Sequence, residues 1–212
     1  ALGAEIQGDK NVAVGVGALQ NQSNSSDTDA NNTAVGYNAG LAMTTGVNNT
    51  VVGSFCGDDL TTGGTNTFVG GFSGSALTEG GNNVAMGYDS LLADTKGSHT
   101  VAIGRQALKV QNFTSATDSH NTAVGNNAGM AVTSGRGNTI IASNAGLTIT
   151  DGNDNICIGN GADVLNADNN NCIVMGDGVS GASNDFSFGK VSNVVTNDFD
   201  TDANWSRSSD QR

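Results

Sequence analysis

One short phrase returns along this chain at near-constant distance, and nothing else in the sequence restricts the fold as strongly. It reads Asn-Thr-Ala-Val-Gly at residues 32–36 and 121–125, and recurs as NTVVG at 49–53, NTFVG at 66–70, NVAMG at 83–87 and NICIG at 155–159. With the closing glycine as reference, the series is Gly15, Gly36, Gly53, Gly70, Gly87, Gly104, Gly125, Ala142 in the glycine slot, Gly159, Gly176 and Gly189. The steps are 21, 17, 17, 17, 17, 21, 17, 17, 17 and 13 residues. A period of 17 is too short for solenoids of paired helices and suits a coil of short strands and turns. The fold expected is all-β, a parallel β-roll or β-solenoid of about eleven 17-residue rungs. At about 4.8 Å per rung, ten steps make a rod of roughly 48 Å.

Composition agrees with stacked strands and tight turns. The chain holds 31 Gly and 0 Pro in 212 residues, where average usage gives roughly 15 and about 10. Such a chain takes up many backbone positions of positive φ and keeps every ladder N–H. An entry segment is expected at 1–10, the repeat domain at 11–189 and a connector at 190–212. The two 21-residue steps locate insertions near 23–30 and 112–119, read as loops bulging from one corner.

Five columns follow from the phase. One residue before the reference stand Val14, Val35, Val52, Val69, Met86, Ile103, Val124, Ile141, Ile158, Met175 and Phe188, and three before it Val12, Thr33, Thr50, Thr67 and their equivalents. These two columns share a strand face and are expected inside the coil. The residue between them, as in Ala13, Ala34, Val51, Phe68, Ala85, Ile140 and Cys157, is then expected outside. A strand apolar on both faces is buried on both, so the outer side is expected to meet a second copy of the chain. Four residues before the reference, asparagine recurs at 11, 32, 49, 66, 83, 121, 138 and 155, as in a stacked amide ladder. Small residues three after it, from Ala18 to Ala162, are expected inside the next corner.

Charge and cysteine use narrow the function. Lys+Arg total 8 against Asp+Glu 20, a net charge of -12, so no basic face for nucleic acid is expected. No apolar run approaches the roughly 18 residues of a membrane span, and ALGAEIQGDK lacks the basic and apolar regions of a signal peptide. A soluble chain without membrane insertion is expected. Cys56, Cys157 and Cys172 form no CxxC pair, which argues against a disulfide framework or a zinc site.

The phrase N-[TV]-[AV]-[VI]-G followed by a small residue resembles the head repeats of trimeric autotransporter adhesins, and similar NTAVG repeats occur in phage tail fibres and spikes. The resemblance covers residues 11–189. It implies a left-handed parallel β-roll assembled as a parallel homotrimer, with inner strands lining the three-fold axis. The 17-residue period is longer than the usual coil of that class. At the end of the chain, Trp205 to Arg212 resembles the entry to an endosialidase-type intramolecular chaperone domain. That family opens with Ser-Asp-x-Arg-x-Lys, and Ser209, Asp210 and Arg212 match before the chain stops short of the Lys. The resemblance implies a self-cleavage motif beside Ser209 and a chaperone domain that acts during assembly. The function so implied is the structural and receptor-binding part of a phage tail fibre or spike, a virion protein made in the host cytoplasm. Its partners would be a host-surface glycan or protein and other tail proteins. The alternatives are a bacterial trimeric adhesin head on the cell surface and a glycan-degrading tailspike.

No catalytic constellation stands out, and the chain is expected not to be an enzyme. His99 and His120 sit in turns without a nucleophile motif. The many carboxylates occupy different phases and suggest no facing pair for glycoside hydrolysis. Tyr37, Phe55, Phe72 and Tyr88 lie one or two places after the reference on consecutive rungs, a near-column fit either to stack on sugar or to pack together. With Asp27, Asp29, Asn112 and Phe113 of the two insertions, they are the receptor-binding candidates. No cofactor is expected, with a structural Ca2+ held by Asp198, Asp200 and Asp202 as the alternative. Asp198, Asp200 and Asp202 alternate as in the opening of a calcium loop, but the Gly at its sixth position and the closing Glu are absent.

Overall fold

The computed structural model describes residues 10–23, 29–191 and 193–198. Among them there is no helix: eleven short strands stack in parallel in chain order, one per rung. They are Val12–Val14, Thr33–Val35, Thr50–Val52, Thr67–Val69, Val84–Met86, Val101–Ile103, Thr122–Val124, Thr139–Ile141, Ile156–Ile158, Ile173–Asp177 and Asp185–Lys190. The pairing register sets Val12 over Thr33, Thr50 over Thr67 and Ile156 over Ile173, so the sequence columns are real columns in space. The chain is a parallel β-solenoid with the expected 17-residue rung.

Each regular rung closes through residues of positive φ. They recur five before the reference (Asn48, Thr65, Asn82), at it (Gly53, Gly70, Gly87), two after it (Phe55, Phe72, Asp89) and four after it (Gly57, Gly74, Leu91). At the reference itself, φ is +132° at Gly70 and an added Cβ would stand 2.6 Å from the Gly87 carbonyl oxygen, so glycine is required twice over. Ala142 occupies this slot with φ of 109°. Ala142→Gly is therefore expected to raise stability by about 1 kcal/mol, read as a higher urea midpoint at unchanged slope.

The two strand faces are the reverse of the sequence expectation. The middle column points into the coil: Ala34, Val51, Phe68, Ala85, Ala102, Ala123, Ile140, Cys157 and Val174 are fully buried. The flanking columns point outward, and Val14 is 56 % exposed. Alternation fixes which residues oppose one another but not which set faces in. The bore decides, because a coil this narrow accepts small side chains in series and admits large ones only where the opposite corner gives way. Ala85 and Ala102 share their rungs with the buried Leu91 and Leu108, whereas Phe68 and Ile140 share theirs with Gly74 and Gly146. A Cβ at Gly74 would lie 2.6 Å from the Phe68 ring. In these four rungs a large side chain on one side is thus met by a small one on the other.

The asparagine ladder forms as expected. The Oδ1 of Asn32, Asn49 and Asn66 accepts the backbone N–H of Asn49, Asn66 and Asn83 at 2.8, 3.0 and 3.0 Å. Each Nδ2 also crosses the coil to a carbonyl 14 residues on, Gly46 from Asn32, Gly63 from Asn49 and Gly80 from Asn66. The small corner residues Ala18, Ala39, Cys56, Ser73, Ser90 and Ala107 are buried as expected.

The insertion near 112–119 does more than bulge. Thr117–Asp118 pairs with Gly97–Ser98 as a small parallel sheet, and Phe113 turns inward to 7 % exposure. At the far end Asn193–Asp198, expected to be connector, folds back antiparallel on Asp185–Lys190 and ends the parallel stack.

Candidate functional site

Three surface features arise from this frame. The first is the outward face of the strand sheet, a long apolar strip. Val12, Val14, Met86, Ile141 and Met175 are exposed along it. Near its last rungs Met175, Phe186 and Phe188 line an apolar hollow of about 590 Å³, with the two phenylalanine rings 5.2 Å apart. Exposed apolar surface of this extent is a candidate contact surface.

The second feature is the aromatic corner just after the strands. Tyr37 meets Phe55 edge-on at 5.2 Å, Phe55 stacks on Phe72 at 5.2 Å, and Phe72 meets Tyr88 edge-on at 6.0 Å. Phe55 and Phe72 stand one place further along the rung than the tyrosines, at a position of positive φ that Asn38 and Asp89 occupy in the tyrosine rungs, and their rings still meet those of Tyr37 and Tyr88. The rings pack on one another, and the terminal Tyr37 and Tyr88 remain 51 % and 52 % exposed. The ladder thus offers two half-open tyrosine faces on a rigid backing.

The third feature is a polar groove of about 690 Å³ at the corner that precedes the strands. Arg136, Asn153 and Asn170 stand at equivalent positions of three successive rungs, with His120, Asp154 and Asn171 beside them. A surface amide ladder builds its wall: Asn170 Oδ1 accepts the Asn153 N–H at 2.7 Å, and Asn153 Oδ1 accepts the Arg136 N–H at 3.0 Å. Its upper end abuts the 21-residue rung, where His99 and His120 stack at 5.5 Å and Asp118 Oδ1 lies 3.0 Å from His99 Nδ1. Composition and motif scanning passed over this groove because its residues belong to no known pattern. The signal was positional, three long polar side chains in one column after the insertion.

The other sequence candidates are scattered. Asp29 is exposed and pairs with Lys10. Asn112 is exposed and accepts the Thr95 hydroxyl at 3.1 Å. Phe113, expected at an exposed loop, is instead buried and cannot present its ring to a receptor. Asp27, Asp200, Asp202, Ser209, Asp210 and Arg212 lie outside the described residues. Asp198 ends the antiparallel strand, and among the described residues no group of three or more His, Cys, Asp or Glu could hold a metal ion. Burial pushes the thiols of Cys56 and Cys157 up to about 12, so both stay protonated at neutral pH and are poor nucleophiles.

The chain matches no protein-family model, no curated protein and no solved structure.

Proposed function

We propose that the chain is the structural and receptor-binding part of a phage tail fibre or spike, a parallel homotrimer that mediates attachment to the host cell surface. The observation that carries this reading is the outward apolar strip. A lone solenoid has no use for stacked Val, Ile and Met in water, whereas three copies that turn these faces toward a common axis bury them all. The same arrangement repeats each lateral surface three times around a stiff rod, so weak contacts add up to firm attachment. The aromatic corner supplies a contact of the right chemistry, since half-exposed tyrosine faces stack on the apolar sides of sugar rings.

The double replacement Tyr37→Ala and Tyr88→Ala tests the reading. Labelled protein should bind saturably to a subset of a panel of bacterial strains, and the variant should bind several-fold more weakly while it stays folded, its unfolding midpoint lowered only by the two lost edge-on ring contacts, roughly 0.5–1.5 kcal/mol each. Unaltered binding by the variant would remove the tyrosines from the contact. Absence of saturable binding across the panel would count against attachment itself.

A further inference from the structure

We propose that the groove along Arg136, Asn153 and Asn170 binds an acidic polysaccharide, lying parallel to the rod with one sugar residue per rung and a sugar carboxylate on Arg136. The inference deepens the attachment reading and rests on it for its biological sense, though not for its chemistry.

Three observations point to this ligand class. First, the Arg136 guanidinium forms no ion pair among the described residues, although the chain carries a net charge of -12. Lys10, Lys96, Lys109 and Lys190 each face a carboxylate, and Arg105, the other described cation outside an ion pair, does not line the groove. An exposed guanidinium left open in a groove is suited to a planar carboxylate, which it grips through two parallel N–H bonds. Second, the rest of the lining is suited to hydroxyls rather than to further anions. Asp118 and Asp154 accept hydroxyl protons, and Asn153 and Asn170 hold their amides in fixed orientation through the surface ladder. The carboxylates would repel a densely charged chain such as a nucleic acid, but tolerate one charge per sugar. Third, the lining repeats. Residues 136, 153 and 170 recur every 17 residues, so equivalent side chains are spaced by one rung, about 4.8 Å. This is close to the length of a pyranose ring. A groove of about 690 Å³ is far larger than a single small anion requires and open enough to take several sugar residues in a row.

The test is calorimetric titration of the full chain, in its native assembly, with tetragalacturonate as the acidic probe and maltotetraose as its neutral counterpart. Tetragalacturonate is expected to bind and maltotetraose to bind at least tenfold more weakly. Arg136→Gln, whose mass in solution and unfolding midpoint should match the parent, is expected to lose at least tenfold in affinity for the acidic probe. Arg136→Lys should recover only part of that loss, because an ammonium cannot make the paired bonds. Equal affinity for both probes, or unchanged affinity in Arg136→Gln, would overturn the assignment. If neither probe binds while the protein still adheres to cells, the groove proposal fails and the attachment reading stands. If the acidic probe binds through Arg136 but no cell surface does, the groove is confirmed and the attachment reading fails.

Discussion

Asn66→Ala is expected to destabilise the chain by about 3 kcal/mol, because it leaves two buried backbone groups without partners. The Asn66 side chain accepts the Asn83 N–H at 3.0 Å and donates to the Gly80 carbonyl at 3.0 Å, in a site that excludes water. Alanine offers neither bond, and no solvent can replace them. The loss falls at the middle of the stack, where each rung is held only by its neighbours, so the break should propagate to both sides. Urea unfolding of the variant is the measurement. Ser54→Ala, an exposed neighbour with no part in the ladder, should shift the midpoint by less than about 0.5 kcal/mol. A comparable small shift for Asn66→Ala would show that the amide column contributes little.

The second large effect is expected at Asp94, a carboxylate buried in the core where the regular rung gives way to the 21-residue one. In regular rungs a threonine carbonyl receives the turn N–H: Thr61 accepts Gly46 and Thr78 accepts Gly63. The insertion displaces that carbonyl, and Asp94 takes its place by accepting the N–H of Gly97 and of Phe113, both at 3.0 Å. Its second oxygen accepts Gln111 Nε2 at 2.7 Å, and Gln111 in turn accepts Asn121 Nδ2 at 2.8 Å, which restarts the asparagine ladder. Asp94→Leu would restore the residue type of Leu60 and Leu77 in the same column and yet is expected to cost about 3 kcal/mol at pH 7, since the N–H groups lose their acceptor.

The pH dependence of that cost has a definite sign. Burial pushes the Asp94 carboxyl above its ordinary value of 3.8, against the opposing pull of its hydrogen bonds, and burial does the same to Asp58 and Asp163. A raised folded-state pKa means that the folded chain holds the proton more tightly than the unfolded one. The associated stability is fully present below 3.8 and is lost as pH rises through the folded values. The parent should therefore gain stability as pH falls from 7 toward 3.8, and the Asp94→Leu variant should gain less. The gap between them should widen on acidification. A gap that narrows would mean that Asp94 is held as a stabilised anion.

Much of this architecture was legible in the sequence. The recurring glycine gave the rung, the asparagine column gave the ladder, and the small residues after each glycine gave the inner corner. All three depend on position within one repeat, which the repeat itself reports. The inward face was not legible from alternation alone, but two hints lay in the columns. Thr33, Thr50 and Thr67 carry hydroxyls that a dry bore would leave unsatisfied, and Ala34, Ala85, Ala102 and Ala123 are the size a narrow bore accepts. The role of Asp94 escaped notice, and Phe113 was expected at the surface, because the 21-residue rung rearranges its own bonding and no regular copy shows what it does there. The groove escaped because its residues come together only when rungs are stacked.

Reversal of the strand faces changes which residues line the expected interface but keeps the argument for it. The strip that needs covering is now Val14, Met86, Ile141 and Met175 with their column, not the alanines. Light scattering of the intact chain after gentle purification tests this most directly. One chain weighs 21.2 kDa, and the expected mass is that of three copies, about 64 kDa. A single monodisperse species at the mass of one chain would leave the strip open to water and contradict the trimeric attachment rod.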